Sequence, residues 1–190
     1  MKSNKPRLSS LVSLDMSFNP LQDAGGRALL SCAWPAHAPP TPGSCLRQLL
    51  LVNCNIGNKT FDYLGKLLQT KHFIFLETLS LGMNDGQGRA GIDGILEALC
   101  PKQTNAESAL GVVCSAADPE VSLLPPSLKH LMVPLNDLQD EGLQAILSAA
   151  LQGCFRHLET LDISDIGATP DCISAFISSF TRHAPCDKLK

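Results

Sequence analysis

The sequence is short of charge. Only 17% of its 190 residues are Asp, Glu, Lys or Arg, against roughly 25% in typical soluble domains. Fifteen basic and 18 acidic residues leave a net charge of −3. No basic excess is present to neutralise a phosphate backbone, so nucleic acid is not expected as a partner. Aromatic residues are scarce too, at 5%, with one Trp and one Tyr. Long apolar runs are missing. A membrane-spanning helix needs about 18 or more consecutive apolar residues, so neither a transmembrane segment nor a membrane partner is expected. The opening residues, Met1 to Ser10, are polar and lack the apolar stretch of a secretory signal, which points to a cytoplasmic protein. With 44% hydrophobic residues the chain is no disordered tail, which would combine low hydrophobicity with high net charge.

Local cysteine motifs are also missing. Cys32, Cys45, Cys54, Cys100, Cys114, Cys154, Cys172 and Cys186 include no C-x-x-C pair, so neither a zinc site nor a redox motif has local support. A chain of this length can build a core without staples, and intracellular thiols behave as small hydrophobes. Free thiols are therefore expected. No nucleophile-elbow or metalloprotease motif occurs. Of the five histidines, His37, His72, His130, His157 and His183, only His130 falls on a candidate surface, with no matched nucleophile. No catalytic residue, metal site or cofactor is expected, and the chain does not read as an enzyme.

What the sequence does have is internal repetition. Leu11-x-x-Leu14-x-Met16-x-x-Asn19-x-Leu21 sets a template. It recurs from Leu46 to Ile56 with Cys54 in the Asn place, from Leu76 to Asn84, from Leu128 to Leu138 with Asn136, and from Leu158 to Ile166. The copies start at Leu11, Leu46, Leu76, Leu128 and Leu158, so the steps are 35, 30, 52 and 30 residues. Each template precedes a run with helical apolar spacing: Ala24 to Ser31, Lys59 to Gln69, Gly91 to Leu99, Glu141 to Leu151 and Pro170 to Phe180. Asn58 and Asp140 read as helix N-caps, and Thr169-Pro170-Asp171 places a cap, a first-turn proline and an acidic residue in order.

This pattern resembles the leucine-rich repeat family. The repeat length and the helical runs resemble its long ribonuclease-inhibitor-like subclass, whose motif is matched closely from Leu128 to Ile146, with Gly142 in the glycine place. The resemblance covers most of Leu8 to Phe180. It implies an α/β solenoid of about five repeats, with a curved parallel sheet on the concave face and helices on the convex face. One such unit cannot bury its leucines alone, whereas stacked units share a core. The resemblance also implies that Asn19, Asn84 and Asn136 turn inward and bond neighbouring turns, a ladder that ends at Ile166.

A single domain over residues 1–190 follows, with loop insertions at 33–45 and 101–127. Eight of the 13 prolines fall in those two stretches. Neither the first nor the last repeat carries an obvious polar cap, which suggests a segment of a longer array or a component covered by neighbours. Gly86-Gln-Gly88-Arg-Ala-Gly91 matches a dinucleotide-binding pattern. However, the strand before it belongs to the repeat register, and Asp118 lies 30 residues past Gly88, beyond the usual distance of about 20. A turn carrying a small insertion is the simpler reading.

Function is expected on the concave face. Template positions 1, 4, 6 and 9 point inward, while 3, 5, 7 and 8 face or border the concave surface. The middle of that surface is apolar, with Leu50, Val52, Met83, Met132 and Leu135. Phe18 lies near one end, and the ends carry Asp15, Asp162 and Asp165. An apolar patch with compliant methionines and acidic flanks suits a protein segment with basic flanks. The expected role is a non-catalytic protein-interaction module or scaffold component, within a large assembly in some settings. The alternative implied by the family is a small-GTPase regulator, although the functional loop of Ran GTPase-activating proteins has no match here.

Overall fold

Each leucine template folds as a short strand followed by a helix. The computed structural model describes residues 10–34, 45–69, 73–100 and 128–183. In chain order the elements are β1 (Ser13–Asp15), α1 (Gln22–Ala33), β2 (Gln48–Leu50), α2 (Asn58–Leu68) and β3 (Thr78–Ser80). Then follow a short 3₁₀ turn (Arg89–Gly91), α3 (Asp93–Leu99), β4 (His130–Met132), α4 (Gln139–Leu151), β5 (Thr160–Asp162) and α5 (Pro170–His183). The strands form one open parallel sheet in sequence order, β1-β2-β3-β4-β5. Parallel neighbours need a crossover, and the helices supply it. The 33–45 and 101–127 insertions lie mostly outside the described residues, as 35–44 and the whole of 101–127.

The template sets the register. Leu14, Leu49, Leu79, Leu131 and Leu161 stand side by side across all five strands. On the three central strands the inward pairs are Leu49 with Leu51, Leu79 with Leu81, and Leu131 with Val133, all at most 1% exposed. Each such side chain contributes about 1.5–3 kcal/mol when taken fully from water. The helices close the other side of this core. On α2, Phe61, Leu64, Leu67 and Leu68 are buried, while Lys66 pairs with Asp62 on the wet face. Gly65 lets α2 lie directly against α3, since a Cβ there would sit 2.1 Å from the Gly94 carbonyl oxygen.

Buried asparagines tie the turns together. The side-chain oxygen of Asn84 accepts from the Cys54 N–H at 2.8 Å and the Ile56 N–H at 3.3 Å. Its amide donates back to the Leu51 carbonyl at 2.7 Å and to Leu81 and Gly82 in its own turn. Asn136 does the same one repeat later, accepting from Gly86 N–H and donating to Leu81 and Val133. The expected ladder needs correction at Asn19, which does not turn inward: it is exposed, and its side chain bonds only its own turn, at Met16 and Ser17. At Ile166 a hydrocarbon fills the place and is buried instead.

Two further sequence readings need correction. The first concerns the caps. Asn58 and Asp140 do not cap their own helices: α2 and α4 begin without a side-chain cap. Both lie at template position 13, just inside the helix, and reach across to the following repeat. Asn58 exchanges two bonds with the Gln87 backbone, and Asp140 accepts from the N–H and hydroxyl of Thr169 at 2.7 and 2.9 Å. Asp23, at the same position, takes the Gly57 and Thr60 N–H groups and the Thr60 hydroxyl. Thr169 does cap α5, accepting from the Cys172 N–H.

The second correction concerns the thiols. Cys100 and Cys154 form a disulfide with their Cα atoms 4.3 Å apart. The bond joins the end of α3 to the turn after α4. The partners are 54 residues apart in sequence, so no local spacing announces them. Cys32, Cys54 and Cys172 remain thiols.

Candidate protein-binding face

The in-register pairing lays the solvent-facing template positions out as rows. Position 5 gives Asp15, Leu50, Ser80, Met132 and Asp162 side by side. Adjacent strands lie about 4.8 Å apart, so neighbours in a row are in contact range. Leu50, Val52 and Met132 are half-buried, and Ser80 between them is buried. Gly82 is also covered, since a Cβ there would lie 2.9 Å from the Pro134 ring. The centre of the face is thus a close-packed floor rather than a deep groove.

Position 8 stands proud of that floor. Phe18, Asn53, Met83, Leu135 and Asp165 all have φ between 52° and 62°. This left-handed turn aims the side chain out of the sheet and costs a non-glycine residue conformational energy. Phe18, Met83 and Leu135 are 68%, 43% and 49% exposed. The backbone at this position is held by the stack: the N–H groups of Phe18, Asn53, Met83 and Leu135 each donate to a carbonyl of the next repeat.

The acidic ends are fixed by their own turns. Asp15 accepts from the Ser17 N–H at 2.9 Å, and that bond, with the Ser17 hydroxyl, holds its carboxyl below the ordinary value. Asp162 accepts from the N–H and hydroxyl of Ser164. His130 Nδ1 lies 3.1 Å from the Thr160 hydroxyl, within hydrogen-bond distance, which orients the ring within the sheet.

One row was not read from the sequence. Position 2 carries Arg47, Glu77, Lys129 and Glu159 on successive repeats, an alternation of sign, and Arg47 is paired with Glu77. Aligning position 2 across the copies, rather than only the concave positions, would have exposed it.

The glycine loop is not a phosphate cradle. The N–H groups of its three glycines and of Gln87 are already committed: Gly86 to the Asn136 side chain, Gln87 to Asn58, Gly88 to the Asp137 carbonyl and Gly91 to the Gln87 carbonyl. The glycines serve packing, because a Cβ at Gly86 would meet the Phe61 ring at 2.7 Å and one at Gly91 would meet the Leu138 side chain at 2.9 Å. On the helical side, a recess of about 490 Å³ is walled by Arg89, Asp93, Leu96 and Cys100, with Arg89 tied to Asp93. Among the described residues, no three His, Cys, Asp or Glu side chains converge as a metal would require. No helix among them is long and apolar enough to cross a membrane.

A solenoid of strand and helix units, stitched by inward asparagines and presenting a variable outer face, defines a leucine-rich repeat protein, and the chain belongs to that family. The family model described as Leucine Rich repeat matches residues 7–30 and 125–147. Among curated proteins, the chain is 31% identical over 167 residues to NACHT, LRR and PYD domains-containing protein 12 of Mus musculus. That match covers 85% of this chain and 15% of the relative. Human NACHT, LRR and PYD domains-containing protein 3 is 29% identical over 186 residues, 94% of this chain and 17% of the relative. Mouse NACHT, LRR and PYD domains-containing protein 4C is 27% identical over 151 residues, 74% of this chain and 15% of the relative. The chain therefore spans only 15–17% of the length of these relatives. Leucine-rich repeats are generally a non-enzymatic fold for binding proteins. The GTPase-regulator alternative gains no support from these relatives.

Proposed function

We propose that this protein is a non-catalytic interaction module of the ribonuclease-inhibitor-like subclass. Its concave face binds a protein segment, with Phe18, Leu50, Val52, Met83, Met132 and Leu135 as the apolar contacts. Asp15, Asp162 and Asp165 select basic flanks on that segment. The observation that carries this reading is the position-8 row: Phe18, Met83 and Leu135 are exposed apolar side chains on a backbone held in the left-handed region. Folding gains nothing from apolar residues there, whereas a partner would bury them. A position inside a larger assembly and a cytoplasmic setting belong to the same reading.

The test is affinity capture with crosslinking and mass spectrometry, comparing the wild type with a Met83→Asp, Leu135→Asp double variant. Both sites are exposed, so the variant keeps the fold. Gln144→Asp, on the exposed side of α4, is the control. The reading expects partners whose capture is lost in the double variant and kept in the control, with crosslinks to the strand side. Equal capture by both variants, with crosslinks confined to the helices, would refute it.

A further inference from the structure

One helix joint differs from the rest. α3 has 7 residues, against 11 in α2 and 13 in α4. Gly65 and Gly94 let it lie directly on α2. On the α4 side the space between the two helices is bordered by Ala145 and Ala149, side chains too small to fill it. The result is the recess of about 490 Å³ between α3 and α4, within the range of small-molecule sites, about 300–1,000 Å³. The Cys100–Cys154 disulfide spans this joint. Among the described residues no other joint between repeats is closed by such a bond.

We propose that the recess is the entry site for a low-molecular-weight thiol, which exchanges with this disulfide by attack on Cys100. Access selects the sulfur. Cys100 is half-buried and forms part of the recess wall. Cys154 is 8% exposed and borders a separate cavity of about 20 Å³, walled by Leu128, Phe155 and Leu158. That is room for about one water and not for a thiol. Burial makes Cys154 the poorer leaving group, which slows the exchange without changing where it starts.

The step runs as follows. The incoming thiolate forms a bond to Cys100 Sγ, the Cys100–Cys154 bond breaks, and Cys154 leaves as a thiolate that takes a proton from water. A second thiolate attacks the outer sulfur of the mixed disulfide, and Cys100 leaves in turn. Two small thiols are oxidised to one small disulfide, and two cysteines are reduced. The state of the joint thus follows the thiol-to-disulfide ratio around the protein. When the bond opens, the end of α3 is released from the turn after α4. When exchange stops at the first step, the small thiol stays attached to Cys100.

The recess also sets a preference among thiols. Arg89 and Asp93 form a neutral pair at 2.9 Å. Glu97, exposed on the same wall, then sets the sign of the site as negative. A cationic thiol is drawn in and an anionic one is held off, by an amount that solvent and salt keep small.

Thiol exchange on the full, oxidised chain tests this. Iodoacetamide first blocks the accessible thiols, the exposed Cys32 among them. The folded protein then meets 2-aminoethanethiol or 2-sulfanylethanesulfonate, acid stops the reaction at intervals, and peptide mass spectrometry locates the adduct. Each rate is divided by that of the same thiol on a small neutral disulfide. The first adduct should sit on Cys100, and the cationic thiol should be favoured roughly two- to three-fold at low salt. Glu97→Gln, at an exposed position, should abolish that preference and leave the site of attack unchanged. An adduct on Cys154, or on both cysteines equally, overturns the proposal. So does a charge preference that survives Glu97→Gln, or none in the wild type. A rate that climbs in dilute urea in step with the unfolded population also overturns it, because the bond would then react only in the opened chain and not through the recess. The wild-type arms decide even if the variant fails to fold.

Discussion

Replacing Asn84 by alanine isolates the bond system that holds neighbouring repeats together. Asn84 makes three cross-repeat hydrogen bonds, to the Cys54 and Ile56 N–H groups and the Leu51 carbonyl, and it is 8% exposed. A typical internal hydrogen bond is worth about 1 kcal/mol net, and a buried group left without a partner costs about 1–3 kcal/mol. The Ile56 bond is long at 3.3 Å and contributes least. The substitution should cost about 3–4 kcal/mol. Asn136→Ala removes two cross-repeat partners, Gly86 and Leu81, and should cost about 2–3 kcal/mol. Asn19→Ala removes only bonds within an exposed turn and should cost under about 1 kcal/mol. Urea unfolding measures all three. The single Trp34 is buried, with its ring 5.2 Å from that of Phe73, so its fluorescence reports the first repeats, and circular dichroism reports the whole. Coincident transitions with unchanged slopes license the comparison. Equal costs for Asn84→Ala and Asn19→Ala would refute the argument, because the two differ in cross-repeat bonding and burial and in little else.

Gly65→Ala should destabilise by several kcal/mol, since its Cβ would fall 2.1 Å from a backbone oxygen of α3 and the helices must part; a thermal melt within a degree of wild type would show that α2 and α3 lie further apart than described. Asp23 and Asp140 respond to acid. Burial raises the Asp23 pKa, but bonds from Thr60 and Gly57 outweigh that and hold it below 3.8, while the Thr169 N–H and hydroxyl lower Asp140. Their folded values lie below the unfolded ones, so the stability they add is complete above the ordinary carboxylate range and is lost as pH falls through the folded values. An Asp23→Asn, Asp140→Asn variant should therefore lose less stability than wild type on going below pH 3.8, measured by urea unfolding along a pH series. Reducing the Cys100–Cys154 bond should lower the melting temperature of oxidised protein, because closing a 54-residue separation is worth up to about 4 kcal/mol in the chain-entropy account. Cys100→Ser should abolish the difference between reduced and oxidised samples.

The strands and their order were legible because leucines at positions 1, 4 and 6 impose both an inward face and a register. The helices were legible in place but not at their ends. α3 begins at Asp93, not Gly91, because the loop from Gly86 spends its N–H groups on neighbouring turns and closes first as a 3₁₀ turn. The caps were misread because Asn and Asp near a helix start usually bond that helix, whereas a stacked neighbour here offers donors within reach. The disulfide was invisible because it depends on where α3 and α4 end in space. On the candidate face, the side each residue takes followed from the template, but the degree of exposure did not. Leu50 and Met132 share a row with the buried Ser80, and only the packed rows reveal that the most prominent residues sit at position 8.

Position 8 separates what the fold wants from what the residues supply. The left-handed backbone there is set by the stack, and asparagine or aspartate tolerates it better than a bulky apolar residue does. Two repeats comply, with Asn53 and Asp165 at φ 52°. Phe18, Met83 and Leu135 do not, and each also leaves an apolar side chain in water. Residues that break a local rule without a folding gain mark places where something other than folding is served. Met83→Asn and Leu135→Asn should consequently leave stability unchanged or raise it by about 0.5–1 kcal/mol each, while weakening capture of any partner seated on the strand side. Capture must fall while stability holds or rises. Loss of stability on substitution would mean that these side chains pack within the chain, and the face would then be part of the fold rather than a surface kept open for another protein.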